Sequence, residues 1–261
     1  MVHPAVGRFE RGKPNELWQL DMKMAMRLPD GTKRYVAGII DDHSRFALGL
    51  WWLPDVTDSS VLACWRDAAN RYGLPLQTLT DHGSQFRMED HTTSAFRTYL
   101  WACGVDHTQG RVGHPQTQGK IERFWSTFQR ELTPQLACAD PSHWPELMER
   151  WRVQYNTRRP HEALGDSPPV SRYRPSPRPF KEPDHHARIG QAQSIYRQVS
   201  IKGEISLGGR PANIGRGLYG WTVEVRPLGN GCWHVYFRGH FLREFMLTKP
   251  PKSVTHVPVQ V

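Results

Sequence analysis

Three acidic side chains stand where a fold could turn them into chemistry. Asp21 lies inside a short apolar run, LWQLDM; Asp81 directly follows another, PLQTLT; and Glu122 falls in the first turns of an amphipathic stretch, KIERFWSTFQREL. Carboxylates are hard oxygen donors suited to hard divalent cations, and a pair of them can also work as general acid and base. The intervals, 59 residues between Asp21 and Asp81 and 40 between Asp81 and Glu122, are too long for a local motif, so a shared site has to be assembled by the fold. With 25 acidic residues in the chain many triples arise by chance, and the elements that carry these three must decide between them.

Those elements can be read from periodicity. LWQLDM predicts a short strand, and after a turn at residues 29–31 the run KRYVAGIID predicts a second, apolar on both faces and so covered on both sides of a sheet. The turn DDHSR leads into a third strand, FALGLWWL, giving a three-stranded antiparallel start. Thr57 or Asp58 caps a helix whose apolar positions Val61, Leu62, Trp65, Ala68, Ala69 and Tyr72 keep helical spacing until Gly73. PLQTLT is a strand that delivers Asp81 at its end; a helix from about Ser94 to Cys103 and a short strand near 105–108 follow, then the loop QGRVGHPQTQG. In the next helix Ile121, Phe124, Trp125, Phe128 and Leu132 form one stripe with Glu122 at its border, where a carboxylate can lean over the sheet edge. A helix over WPELMERWRVQYN closes the core near RRPHEALG.

Length and charge bound the rest. A chain of 261 residues has room for one substantial core and a smaller second domain. Residues 1–15 read as an N-terminal extension, 16–164 as the core, 165–193 with six prolines as an extended basic linker, 194–248 as a small β-barrel of about five short strands, and 249–261 as a tail. The net charge of +9 is unevenly spread: the core carries 17 basic and 18 acidic residues, whereas residues 194–261 carry nine and three. A neutral core whose carboxylates need cations, followed by a basic segment that grips phosphate, points to a nucleic-acid partner and against a carboxylate-pair glycosidase. No run of about 18 apolar residues or secretory h-region appears, so no membrane association and a cytoplasmic, nucleoid-associated location are expected. Cys64, Cys103, Cys138 and Cys232 form no C-x-x-C pair; reduced, mostly buried thiols are expected, with neither a disulfide framework nor a structural zinc site.

The segments WQLDMK, IIDDHSR, TDHGSQF, GHPQTQGKIERFW and YNTRRPHEALG, in this order, resemble the DDE transposases and integrases, in particular those of bacterial insertion sequences, over roughly residues 15–170. The resemblance implies a ribonuclease H-like α/β core, a mixed five-stranded sheet with helices on both faces. It implies Asp21, Asp81 and Glu122 as a catalytic triad that binds two Mg²⁺ or Mn²⁺ ions. It implies double-stranded DNA, as element ends and target, for substrate, and a homo-oligomer of at least two copies on DNA. The chemistry follows without the family: in-line displacement at phosphorus is served by two such ions about 4 Å apart, which activate the attacking oxygen and stabilise the leaving one.

Around the triad, Gly83 permits a sharp turn after Asp81, and the 110–119 loop is expected to meet DNA through His114 and Gln118. Lys120 and Arg123 flank Glu122, so at least one of them is expected on the DNA backbone. Arg158, Arg159 and His161 form a basic cluster suited to clamping DNA or to packing on the core, while Asp41 and Asp42 fit a turn-capping role better than a fourth ligand. His82 suits substrate contact or simple exposure.

The interval before Glu122 is longer than usual for the family, which assigns a loop insertion to RMEDHTT. Only about 16 residues precede the first strand, without a helix-turn-helix or a zinc-ligand set. A truncated copy, a separately encoded end-recognition domain and a chain that no longer moves DNA all remain open. The competing functions are a non-catalytic DNA-binding remnant that regulates transposition and a ribonuclease H-type nuclease.

Overall fold

The computed structural model describes residues 10–28, 31–81, 93–110, 119–191 and 194–247. Its chain divides into two compact units, one containing the described residues through Asp81 together with Cys103–Glu182, the other those of 93–102 and 183–247. No helix among them is long and apolar enough to cross a membrane.

The first unit is built on a five-stranded mixed sheet. Strands β1 (Leu17–Arg27), β2 (Lys33–Asp41) and β3 (Ala47–Leu53) form an antiparallel meander, and β4 (Gln77–Thr80) and β5 (Asp106–Gln109) add in parallel beyond β1, for a spatial order β3-β2-β1-β4-β5. β2 is buried from Val36 to Asp41, as its two-sided apolar run predicts. Its alternation sends Ala37 to one face, against Cys64 of helix α1 (Asp58–Tyr72), and Val36 and Ile40 to the other.

That second face carries the larger core. Helices α3 (Gly119–Glu131), α4 (Thr133–Cys138) and α5 (Trp144–Thr157) bring Phe124, Trp125, Phe128, Trp144, Trp151 and Tyr155 together with Val36, Ile40 and Ala47. The rings meet mostly edge to face, as between Phe128 and Trp151 at 5.6 Å and 86°. α1 starts on a capping box between Thr57 and Ser60 and stops at Gly73, whose φ of 78° and close approach to the Arg178 carbonyl exclude a Cβ.

The stretch 165–182 is fastened to this unit. Tyr173 stacks on Phe46 at 4.1 Å and its hydroxyl donates to Asn15 Oδ1 at 3.1 Å, while the Arg178 guanidinium donates to the carbonyls of Pro75 and Gly104, each at 2.6 Å. The prolines deny the segment a ladder of its own, and its backbone bonds partly within itself, as from Ser171 N to the Pro168 carbonyl, and partly to the core, as from Ser176 N to the Tyr72 carbonyl.

In the second unit, α2 (Ala95–Ala102) packs with the C-terminal strands: Tyr99 meets Trp221 edge on, and Gly217 lies so close to the Thr93 carbonyl that no side chain fits. The strands are β6 (Ile195–Gln198), β7 (Glu204–Leu207), β8 (Arg210–Asn213), β9 (Thr222–Gly229), β10 (Cys232–Phe237) and β11 (His240–Met246). The expected barrel is corrected here. The strands form an open antiparallel sheet, β11-β10-β9-β6, and a separate hairpin, β7-β8, with no pairing that closes β6 onto β11 among the described residues. Trp221 and Phe237 are buried among Val223, Val225 and Val235, whereas Trp233 and Tyr236 are half-buried. All four cysteines are free thiols, but only Cys64 is buried.

Candidate active site

The carboxylates reach one place because a strand centre, a strand end and a helix start meet there. Asp21 sits mid-strand in β1, opposite Gly38 of β2 and on the face that α3 covers. Asp81 is the first residue after β4, which lies parallel to β1 with Gln19 beside Leu79. Glu122 projects, exposed, from the first turn of α3. All three line a cleft of about 110 Å³, together with Gln19, Leu20, Leu79, Thr80 and Ile121. Their oxygens do not all come within 4.8 Å of one another.

Two donors hold Asp21. Its Oδ1 accepts the Met22 amide and its Oδ2 the Trp125 indole N–H, both at 2.8 Å. Trp125 lies one helical turn beyond Glu122, so the same bond that orients Asp21 ties the start of α3 to β1. Gly38 makes room for it: a Cβ there would stand 3.0 Å from the Trp125 ring and 3.1 Å from Phe124. Burial pushes the Asp21 carboxyl above the ordinary carboxylate range and the charge of Asp81 adds to it, against the two hydrogen bonds.

A second network braces the helix start. Asp42, fully buried, accepts the Arg11 amide at 2.9 Å and the Gln19 amide group at 2.7 Å, and pairs with the Lys120 ammonium at 2.6 Å. Asp41 accepts Asn15 N, Ser44 N and Ser44 Oγ at 2.6 to 2.8 Å, a turn-capping role. Both aspartates therefore act structurally. Lys120, expected on DNA, instead has a side chain only 12% exposed and turned onto Asp42.

Of the other expected DNA-contact residues, Arg123 and Arg158 are exposed. Arg159 pairs with Glu131, which also accepts the Trp151 indole N–H at 3.1 Å. His161 lies edge on to Tyr155 at 4.9 Å, and burial, with Arg159 and Arg45 nearby, lowers its pKa to about 4. His82, Gly83, His114 and Gln118, most of the RMEDHTT segment and nearly all of the 110–119 loop lie outside the described residues.

A family profile described as the integrase core domain matches residues 11–115, and a second one of the same description matches 103–169. This chain belongs to the integrase-core family. Among curated relatives of this integrase core, the transposase of insertion sequence IS904 from Lactococcus lactis is 29% identical over 60% of the chain and 60% of the relative. An uncharacterized 31.7 kDa protein of insertion element IS407 from Burkholderia multivorans is 28% identical over 59% of the chain and 53% of its own length. The transposase of transposon Tn552 from Staphylococcus aureus is 24% identical over 63% and 38%. The chain spans about half the length of the curated relatives it matches. In fold it is similar to the HTLV-2 integrase catalytic core domain solved with magnesium, with a TM-score of 0.51 at 15% identity over 62% of this chain and 99% of that one. A simian T-cell lymphotropic virus intasome chain gives 0.54 at 15% identity, over 93% and 83%. The first unit thus has the ribonuclease H-like integrase fold that the ordered motifs imply.

Proposed function

We propose that this integrase core is the catalytic part of a transposase that cleaves DNA strands at element ends and joins them to target DNA, with Asp21, Asp81 and Glu122 as its catalytic residues. One observation carries the reading: three carboxylates from a strand centre, a strand end and a helix start share one cleft. Among the described residues no imidazole or thiol lines it, and the three carboxylates are donors that fit hard cations such as Mg²⁺ or Mn²⁺. Asp21 is desolvated and repelled by Asp81, a cost that a bound cation relieves. When bound, two such ions supply Lewis-acid stabilisation of charge at the scissile phosphate.

The chain's own part is orientation. Trp125 and the Met22 amide fix Asp21, and the Asp42–Lys120 pair steadies the turn that presents Glu122. Arg123 and Arg158, both exposed, are assigned phosphate contacts that hold the duplex in register, and His114 and Gln118, in the segment before α3, are assigned DNA contacts as well. Lys120 is assigned to positioning, and Arg159 and His161 to packing beside α5. The second unit, with nine basic and three acidic residues over 194–261, is assigned sequence-tolerant DNA binding, and two or more copies act together on DNA.

The test is cleavage and strand transfer on a labelled duplex with candidate element ends, in Mg²⁺ or Mn²⁺ and with an end-reading domain supplied. Metal-dependent products that vanish in both Asp81→Asn and Glu122→Gln are expected. A wild-type chain that binds DNA but neither nicks nor joins it overturns the proposal in favour of a regulatory DNA-binding protein.

A further inference from the structure

We infer that Cys232, His234 and Glu244 form a Zn²⁺ site on the β10–β11 hairpin, sharing no residue with the carboxylate cleft. In this ladder His234 pairs with Glu244 and Cys232 with Met246. Residues two apart on a strand share a face, and so do directly opposed partners, so the thiol, imidazole and carboxylate leave the hairpin on one side. Their ligand atoms all lie within 4.8 Å of one another. Tetrahedral zinc, with bonds of about 2.0–2.3 Å, sets its ligand atoms roughly 3.4–3.8 Å apart, so closing the site needs only side-chain adjustment.

The imidazole is already aimed. His234 Nε2 stands 2.8 Å from Glu244 Oε2, and Nδ1 stands 3.1 Å from the Tyr236 hydroxyl. An outer partner on one ring nitrogen, with the other turned to the ligand cluster, is the arrangement that fixes a metal-binding histidine. Arg226 lies opposite His234 on β9, but two hydrogen bonds to Glu224, at 2.8 and 2.9 Å, occupy its guanidinium, and it rests over the Tyr236 ring. Sulfur, nitrogen and oxygen together suit zinc and not magnesium. Three protein ligands leave the fourth position to water, and binding displaces the thiol proton. β11 is an edge strand of the open sheet and Glu244 is 53% exposed, so the ion adds a side-chain clip to the backbone ladder and the His234–Glu244 ion pair that already join the two strands.

The experiment uses the full chain with Zn²⁺, and with Co²⁺ as the spectroscopic probe, in excess Mg²⁺ to occupy oxygen-only sites. About one zinc per chain and a thiolate-to-cobalt charge-transfer band are expected. Cys232→Ser abolishes the band, and Cys138→Ser leaves it unchanged. Glu244→Gln, at an exposed position that folding tolerates, weakens zinc binding by at least about tenfold, and Tyr236→Phe by about tenfold through the outer partner. Absence of the band in the wild type, its survival in Cys232→Ser, or unchanged zinc affinity in Glu244→Gln overturns the inference.

Discussion

Lys120→Met separates two roles that a lysine beside Glu122 can have. Its ammonium stands 2.6 Å from Asp42, whose side chain is fully buried. Burial pulls the ammonium below its usual range, and Asp42 pulls it back, so the intact pair is of modest net worth. Breaking it is another matter. Removing one partner of a buried pair strands the other and costs about 3–5 kcal/mol. Asp42 keeps hydrogen bonds from Arg11 N and Gln19, and Lys120 is slightly exposed, which puts the loss at about 3 kcal/mol. Urea unfolding followed by tryptophan fluorescence reads it as a fall in midpoint at unchanged slope. Adding Asp42→Asn removes the stranded charge and recovers part of the loss, and the double-mutant cycle gives the coupling. A phosphate-contacting lysine behaves differently: its removal changes stability by no more than about 0.5 kcal/mol and lowers the salt slope of DNA affinity by about one. That second pattern would refute the positioning role.

Acid should act on the same unit through His161. Its folded pKa of about 4 lies below the 6.5 of a free imidazole, so its contribution is full above pH 6.5 and is lost as the pH falls toward 4. For a half-buried ring this is about 1–2 kcal/mol after allowing for solvent screening. His161→Gln should flatten the fall in urea midpoint between pH 7.5 and 4.5, and parallel curves for variant and wild type would exclude the effect. Gly38→Val should destabilise by about 1–3 kcal/mol, because its side chain enters the space of Trp125 and Phe124, and strand cleavage should fall further than stability alone explains. Thermal melts paired with the cleavage assay check this, and an unchanged melting temperature counts against the packing described for Trp125.

The sequence reveals the first unit because its pattern is local. KRYVAGIID is apolar on both faces and becomes a strand buried on both; Thr57 and Gly73 delimit a helix by cap chemistry; the stripe on α3 fixes which side of the sheet receives Glu122. Features set by distant partners are not legible in this way. Lys120 lies two residues from Glu122, about 200° around the helix, and its partner Asp42 belongs to another element. The hydrogen bond from Trp125 to Asp21 spans 104 residues, and nothing in an apolar helical stripe marks one indole as a donor to a carboxylate of the cleft. Alternation in the C-terminal runs fixes strand faces but not strand neighbours, so β7 and β8 pairing apart from the four-stranded sheet could not be foreseen. Helix α4 is too short to show a period, and β1 continues through MKMAMR, where charge interrupts the apolar signal. The cysteine spacing speaks against a C-x-x-C zinc site but is silent on C-x-H with a glutamate across a ladder, because that set exists only once the register is fixed.

The arrangement of the carboxylate cleft joins core packing to chemistry through one residue. Trp125 is buried against Phe124 and Phe128, yet its indole N–H is spent on Asp21. A buried indole needs an acceptor, and a mid-strand carboxylate needs donors, so each helps to satisfy the other. The hydrogen bonds oppose but do not cancel the burial and the repulsion from Asp81, and the carboxyl stays above its ordinary range. Neutralising Asp21 with a third donor would remove that residual cost, and with it the lone pairs a cation requires. In the role proposed for it, the partly satisfied aspartate is thus a compromise between stability of the fold and readiness to bind positive charge, consistent with stability being given up locally where a site must work.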